Sequence, residues 1–198
     1  MLESILLDKV VKKSMFMLLF SLSVTIFLSL ATFNPDDQGW GVVSVNESTN
    51  FFGETGAWVS GLIIREFGFL TGLLFVSVLF IWSLKFFNSS TINFIKLKTL
   101  ILLLMIIAGS FGDAYLEIFT SEFISSQIFT IFQEGYSDWI FIFVSENVSN
   151  LLGTDSLNSS HILGISCLSI SLAMFVWISS LGSAEINFFK FILGPVIK

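Results

Sequence analysis

Four long apolar runs separate most charged residues of this chain into two groups. Every Lys lies in one set of connecting segments, and most Asp and Glu residues lie in the other. The basic set is Lys9, Lys12, Lys13, Lys85, Lys96, Lys98, Lys190 and Lys198. The acidic set is Asp36, Asp37, Glu47, Glu54, Asp113, Glu117, Glu122, Glu134, Asp138, Glu146 and Asp155. Because Lys and Arg near spanning helices stay on the cytoplasmic side, this distribution predicts a membrane protein with both termini in the cytoplasm.

The composition excludes several classes of protein. Charged residues make up 12% of the chain, whereas soluble domains carry about 25%. The net charge is −6, and nucleic-acid binding requires a basic patch. We therefore expect the lipid bilayer as a partner and no direct nucleic-acid binding.

A spanning helix needs roughly 20 mostly apolar residues, and four segments of the chain are candidates. We predict spans at about 14–33, 62–87, 99–111 and 162–181, and an extension of the third to 119 stays open. The connections are outer segments 34–61 and 112–161, a cytoplasmic loop 88–98 and a cytoplasmic tail 182–198. The predicted fold is therefore all-α, a single polytopic membrane domain over residues 1–198 with four transmembrane helices.

The outer segments carry apolar residues at helical spacing. We predict a short helix or turn at 56–66, with Arg65 and Glu66 at the outer interface. Two amphipathic helices are predicted further on, at about 116–131 and 140–151. Surface helices that bind lipid usually have basic polar faces, and these are acidic, so we expect them to pack against protein.

The two halves of the chain share one plan of a span, a Gly-led turn, an amphipathic stretch and a second span. The turns are Phe52–Trp58 and Gln133–Trp139, and a further Gly follows each, Gly68 and Gly153. This pattern predicts a duplication whose halves cross the membrane in the same direction. Gly135 and Gly153 are the interaction candidates of the second half.

Polar residues beside the spans leave alternatives open. Gly68 and Gly72 form a Gly-x-x-x-Gly, which allows helices to approach closely, within the chain or between copies. Asp113 and Glu117 lie one helical turn apart. They are interfacial acids if the span ends near Phe111, and an ion-path candidate if it continues past them.

No arrangement for catalysis or metal binding is evident. His161 is the only His and has no Cys or second His nearby in the sequence, so a metal site is not expected. Cys167 is the only Cys and lies inside an apolar run, where a small apolar residue suffices. We predict no catalytic residue, no cofactor and no metal.

The first span ends in a short turn, Asn34-Pro35-Asp36-Asp37-Gln38-Gly39-Trp40. It is followed by the segment Asn50-Phe51-Phe52-Gly53-Glu54-Thr55-Gly56-Ala57-Trp58, and Phe67-Gly68 then leads into the second span. In these features the chain resembles the N-terminal four-helix membrane domain of the FtsK/SpoIIIE family of bacterial DNA translocases, which has a similar Asn-x-x-Gly-x-x-Gly-Ala turn. In the second half, Glu134-Gly135-Tyr136-Ser137-Asp138 departs from the family's paired glycines.

The resemblance implies a non-catalytic anchor that holds a cytoplasmic DNA motor at the division septum of the bacterial inner membrane. It also implies homo-oligomers and contacts with other cell-division membrane proteins. The sequence contains no Gly-x-x-x-x-Gly-Lys-Ser/Thr loop for nucleotide phosphates, and the ending after Gly194-Pro195 suggests a piece of a longer protein. The alternative is a small transporter or channel subunit, which a deeply placed Asp113 would favour.

Overall fold

The computed structural model describes residues 2–45, 47–88, 92–123, 136–152 and 156–180. These residues form six α-helices: α1 Leu2–Ala31, α2 Gly53–Phe67, α3 Phe69–Phe87, α4 Ile95–Phe123, α5 Tyr136–Leu152 and α6 Ser156–Ser179. Four stretches are long and apolar enough to cross a membrane: Lys9–Ala31, Phe69–Phe87, Ile95–Leu116 and Ser160–Ser179. The all-α class with four spanning helices is thereby confirmed, and the cytoplasmic location of both termini stays a prediction.

The predicted second span, 62–87, was wrong at its start. Residues up to Phe67 belong to α2, and the spanning helix α3 begins at Phe69. Gly68 separates the two helices with φ +92° and ψ 156°, a conformation that essentially only glycine adopts. Arg65 and Glu66 mark this region in the sequence, but hydropathy does not show that the helix is interrupted at Gly68.

The third spanning helix, α4, continues past the end predicted at Phe111. Helix α4 runs to Phe123, and its candidate span reaches Leu116. Gly109 and Gly112 lie inside this helix. A Cβ on Gly109 would collide with Thr71 of α3, and a Cβ on Gly112 would collide with Leu168 of α6. Both glycines therefore permit close packing of helices. Residues 116–123 of the predicted amphipathic helix at 116–131 therefore belong to α4. The remainder of that predicted helix lies outside the described residues.

The helices pack in two pairs. Helix α1 lies along α3, and α4 lies along α6. A cluster around Ile26, Ile64 and Val76 joins the first three helices, and a cluster around Val78, Met105 and Ile178 joins α3, α4 and α6. Outward-facing side chains of α1 and α6 are largely apolar, as a lipid-facing surface requires: Met17, Leu18, Phe27, Ile165, Leu172 and Val176 are all exposed.

The helix order repeats, long, short, long, in each half of the chain. In the second half the short helix is α5, which contacts α6, α4 and α2. Its Phe141 is fully buried against Tyr115 and Ala114, which stabilises the docking by about 2 kcal/mol. Helix α5 thus packs against protein, as expected from its acidic polar residues. Gly135, Gly153 and the tail 182–198 lie outside the described residues.

Candidate functional site

The residues of the predicted turn meet at one end of the bundle, where α1 ends and α2 and α3 begin. We call this region the acidic end. Its centre is Asn50, which is buried. The Asn50 Nδ2 amide donates to the carbonyls of Ser29 at 2.8 Å and Thr32 at 3.1 Å. Ser29 lies in the last turn of α1 and Thr32 follows its last residue, at the end where a helix leaves acceptors without partners. Asn50 therefore caps α1 from outside the helix.

The same asparagine also starts α2. Its Oδ1 accepts the backbone N–H of Phe52 at 3.2 Å, and its carbonyl accepts the N–H of Gly53 at 2.8 Å. A Cβ on Gly56 would lie 1.9 Å from Asn50 Oδ1, so no side chain fits there. Gly53 has φ +61°, a conformation that favours glycine. Each polar and glycine position of the Asn-x-x-Gly-x-x-Gly-Ala turn thus has a structural cause.

The loop that follows α1 limits the size of the side chain at position 57, which is Ala57. It is 3% exposed, and a Cβ on Gly39 would lie 2.9 Å from the Ala57 carbonyl oxygen. The backbone of the loop therefore rests directly on α2. A residue larger than alanine at position 57 would enter this packed contact.

The loop itself is organised around a second buried residue, Asp37. Asp37 Oδ1 accepts the backbone N–H of Thr49 at 2.9 Å, and Oδ2 accepts the Ser48 hydroxyl at 3.0 Å and the Asn50 N–H at 3.0 Å. Burial raises the pKa of Asp37, but the hydrogen bonds from Thr49, Ser48 and Asn50 outweigh it and hold the pKa below its usual value. The carboxylate thus stays charged and ties the two arms of the loop together.

Pro35 directs the chain from α1 into this loop. It lies in a turn in which Asn34 Oδ1 accepts the Asp36 N–H at 3.1 Å. Asn34 also donates its amide to Thr49 Oγ1 at 3.0 Å. The residue before proline is driven away from helical geometry, so Pro35 separates the helix from the Asp37 contacts.

Trp40 fastens the loop to the face of α2. Its ring meets Trp58 edge to face at 5.0 Å between centroids, and its Nε1 donates to Glu66 Oε1 at 2.6 Å. Gly61 leaves room for the Trp40 backbone, which a Cβ at that position would approach to 3.4 Å. The expectation that Arg65 and Glu66 lie on a short helix before the span agrees with α2. Burial lowers the pKa of Arg65, and its side chain lies beside Gly41.

A buried carboxylate from α4 occupies the space that Gly68 leaves. Asp113 is 3% exposed, and its Oδ2 accepts the backbone N–H of Thr71 at 2.7 Å. Thr71 lies in the first turn of α3, where free N–H groups and the helix dipole favour a negative charge. A Cβ on Gly68 would lie 2.3 Å from Asp113 Oδ2. Asp113 therefore caps α3 across the helix interface.

Gly72 is used for packing within the chain. A Cβ there would lie 2.6 Å from Ile63 of α2 and 3.4 Å from Leu30 of α1. Both glycines of the Gly-x-x-x-Gly are thus taken up by contacts among α1, α2, α3 and α4. The alternative of association between copies through this face is not supported by their positions.

His161 lies inside α6 and meets Tyr115 of α4, with 2.9 Å between Tyr115 Oη and His161 Nδ1. The two rings are also nearly perpendicular. Within the described residues no group of three His, Cys, Asp or Glu is placed to hold a metal ion. The His161 contact joins α4 to α6 beside the Asp113 cap.

The geometry of the acidic end agrees with a match to a protein family. Residues 8–127 match the model of the 4TM region of DNA translocase FtsK/SpoIIIE. The match spans more than half of the chain and includes Asn50, Gly56, Gly68 and Asp113. The chain therefore belongs to this family, and it is a membrane-anchor region. Helices α5 and α6 lie beyond the match, in the half where the sequence departs from the family pattern.

No curated protein and no solved structure matches the chain.

Sequence reasoning did not predict the capping and loop-closing roles of two residues on which the site depends. Asp113 was considered only as an interfacial acid or part of an ion path, and Asp37 only as one acid of the turn after the first span. Their partners lie 12 and 42 residues away along the chain. A sequence signal for Asp113 would have required knowing that a helix starts after Gly68, because the free N–H groups of a helix start need an acceptor.

Proposed function

We propose that this chain anchors a septal DNA translocase in the bacterial inner membrane. It would hold a cytoplasmic motor at the division site and take part in cell division and chromosome segregation. The family match over residues 8–127 is the observation that carries this proposal. The cap network at the acidic end supports it, because an anchor needs a fixed orientation of its helices.

Contacts with other division proteins are assigned in this proposal to the acidic end. Two aromatic side chains there remain largely exposed although each contacts another ring. Phe51 is 65% exposed and Trp58 is 48% exposed. Aromatic side chains bury much apolar area and are enriched at protein interfaces. Oligomers of the anchor would follow from a multimeric motor.

Localisation tests the proposal. A fluorescent protein fused after residue 198 should concentrate at the septum of dividing cells, and an even signal around the envelope would contradict the septal role. Phe51→Ala should reduce septal enrichment if the acidic end recruits the partners. Phe87→Ala is the matched control at the other end, because Phe87 is also 65% exposed and also contacts another ring at 5.0 Å.

An antibody against the acidic segment 112–161 gives a second test. On an immunoblot of source cells, a band well above 22.1 kDa is expected for an anchor joined to a motor. A band at 22.1 kDa would remove the motor from the proposal.

The second candidate, a transporter or channel subunit, is favoured by one observation, the burial of Asp113 in a spanning helix. The contact with Thr71 provides this carboxylate with a structural role, which favours the anchor. Cysteine accessibility along 108–117 separates the two candidates. A water-filled path predicts labelling continuing inward from Asp113, and an anchor predicts protection there.

A further inference from the structure

The end of the bundle opposite the acidic end holds two buried lysines, and we call it the basic end. Lys85 of α3 is 7% exposed and Lys98 of α4 is 5% exposed. Lysines near the ends of spanning helices usually extend their ammonium groups into water, whereas these two are buried. Here two positive charges come from two different helices to one point of the structure.

The point of convergence is the end of α6. Lys85 Nζ donates to the Ser180 carbonyl at 2.7 Å and to Ser180 Oγ at 2.9 Å. Lys98 Nζ donates to the same hydroxyl. The helix dipole places negative charge at this end, which favours the lysines. The two ammonium groups therefore lie close to each other at the end of α6.

A cavity of about 580 Å³ opens beside these groups. Both lysines line it, together with Asn93, Phe94, Trp177 and Ser180. The described lining residues are neutral apart from the lysines. The Lys98 ammonium lies 5.7 Å from the centre of the Trp177 ring, and Phe94 is 76% exposed. The cavity therefore combines positive charge, an amide and aromatic rings at the end of membrane helices.

We propose that this cavity binds a phosphate group, and that Lys98 is its principal contact. Ammonium groups form strong charge-assisted hydrogen bonds with phosphate oxygens, and the Asn93 amide can add another donor. Basic pockets between spanning helices bind the headgroups of anionic lipids. A phosphate could come from a lipid headgroup or from a soluble compound, and the placement between exposed apolar side chains of the helix ends favours the lipid. The inference requires only that the chain spans a membrane, and not that it serves a motor.

Native mass spectrometry of the whole chain, purified in a neutral detergent and titrated with phosphatidylglycerol, tests the site. We expect Lys98→Gln to weaken phosphatidylglycerol binding roughly fivefold, the factor expected for one lysine near anionic lipid. Lys96→Gln is the matched control, because Lys96 lies on the same helix turn and is exposed. It should change binding less than about twofold, since an exposed charge is screened by solvent. Lys98→Arg should preserve binding.

Two further arms complete the test. Phosphatidylcholine should bind the parent chain, Lys98→Gln and Lys96→Gln equally. Circular dichroism should verify that Lys98→Gln is folded. Competition by inorganic phosphate would assign the site to soluble phosphates, and its failure would assign it to the lipid. Equal losses in Lys96→Gln and Lys98→Gln, or no loss in either, would overturn the proposal.

Discussion

Single polar side chains hold the segments of the acidic end together, and the side chain of Asn50 contacts both α1 and the start of α2. One amide closes the end of α1, and its oxygen begins α2, so the two helices meet at a fixed angle. Asparagine suits this position because its side chain carries both donors and an acceptor. The family-like turn is thus a cap shared between two helices.

Removing this side chain should destabilise the domain. We expect Asn50→Ala to lower the free energy of unfolding by about 2 kcal/mol, because one buried and one partly buried carbonyl lose their donor. Asn147→Ala is the control, since Asn147 is exposed and bonds to the carbonyl of Phe143 in its own helix. Thermal unfolding in detergent measures both. A loss at position 50 no larger than at position 147 would refute the shared cap.

Asp37 predicts a dependence of stability on pH. Its pKa is lower in the folded chain than in the unfolded chain, so its contribution is complete above the unfolded pKa of about 3.9. The contribution is lost as the pH falls below that value and through the folded pKa. The parent should therefore unfold at a higher temperature than Asp37→Asn at neutral pH, and this difference should shrink in acid.

The neighbouring residue supplies the control for this effect. Asp36 is exposed, and Asp36→Asn should leave the pH profile of the melting temperature nearly that of the parent. Melting curves from about pH 7 to about pH 3 bracket the unfolded pKa of an aspartate. An advantage of the parent over Asp37→Asn that stays constant across this range would contradict the assignment.

At the scale of elements, the break at Gly68 separates α2 from the spanning helix α3. The break permits α2 to lie under the loop and Trp40 while α3 runs along α1. It also opens the first N–H groups of α3 to the carboxylate of Asp113. A continuous helix over 62–87 would remove both arrangements, which explains why a glycine interrupts an apolar run.

Replacing Gly68 by alanine should destabilise the domain much more than replacing another glycine of positive φ by alanine. Gly68→Ala combines a disallowed backbone with a collision against Asp113, and we expect a loss of about 3 kcal/mol or more in stability. Gly53→Ala is the control, because its φ is +61° and nothing lies within 4 Å of a Cβ there. It should lose about 1 kcal/mol.

Unfolding in detergent again provides the measurement. Equal losses for Gly68→Ala and Gly53→Ala would mean that the backbone conformation alone matters and that the Asp113 contact contributes nothing. A double variant with Asp113→Ala should recover part of the loss at Gly68, since the collision is then removed.

At the scale of the whole molecule, the two ends of the bundle differ in charge. Asp37 and Asp113 lie at the acidic end, and Lys85 and Lys98 lie at the basic end. The positive-inside rule then predicts that the basic end and both termini lie in the cytoplasm.

This topology is open to direct measurement. In a Cys167→Ser background, a cysteine at exposed Val45 should react with an impermeant maleimide in intact cells. A cysteine at exposed Asn93 should react only after the membrane is opened. Reaction of position 93 in intact cells would reverse the topology.

Much of the architecture could be predicted from the sequence, because transfer of apolar residues into lipid depends on local composition. The four spans, the all-α class and the family-like turn at 50–57 belong to this part. The end of the third span could not be predicted, since Gly109 and Gly112 are typical of helix ends as well as of close packing. The start of the second span was predicted too early, because Arg65 and Glu66 indicate an interface without showing that the helix is interrupted at Gly68.

The sequence by itself determined that this chain has four membrane-spanning helices, since the hydropathy of a segment depends only on its own residues. Only the tertiary structure decided which polar groups meet: Asp37 with Thr49, Asp113 with the start of α3, and both buried lysines with Ser180. The physical reason is that such contacts join positions distant in the chain. Their existence depends on how helices pack, and the pattern of apolar residues along a helix does not record that.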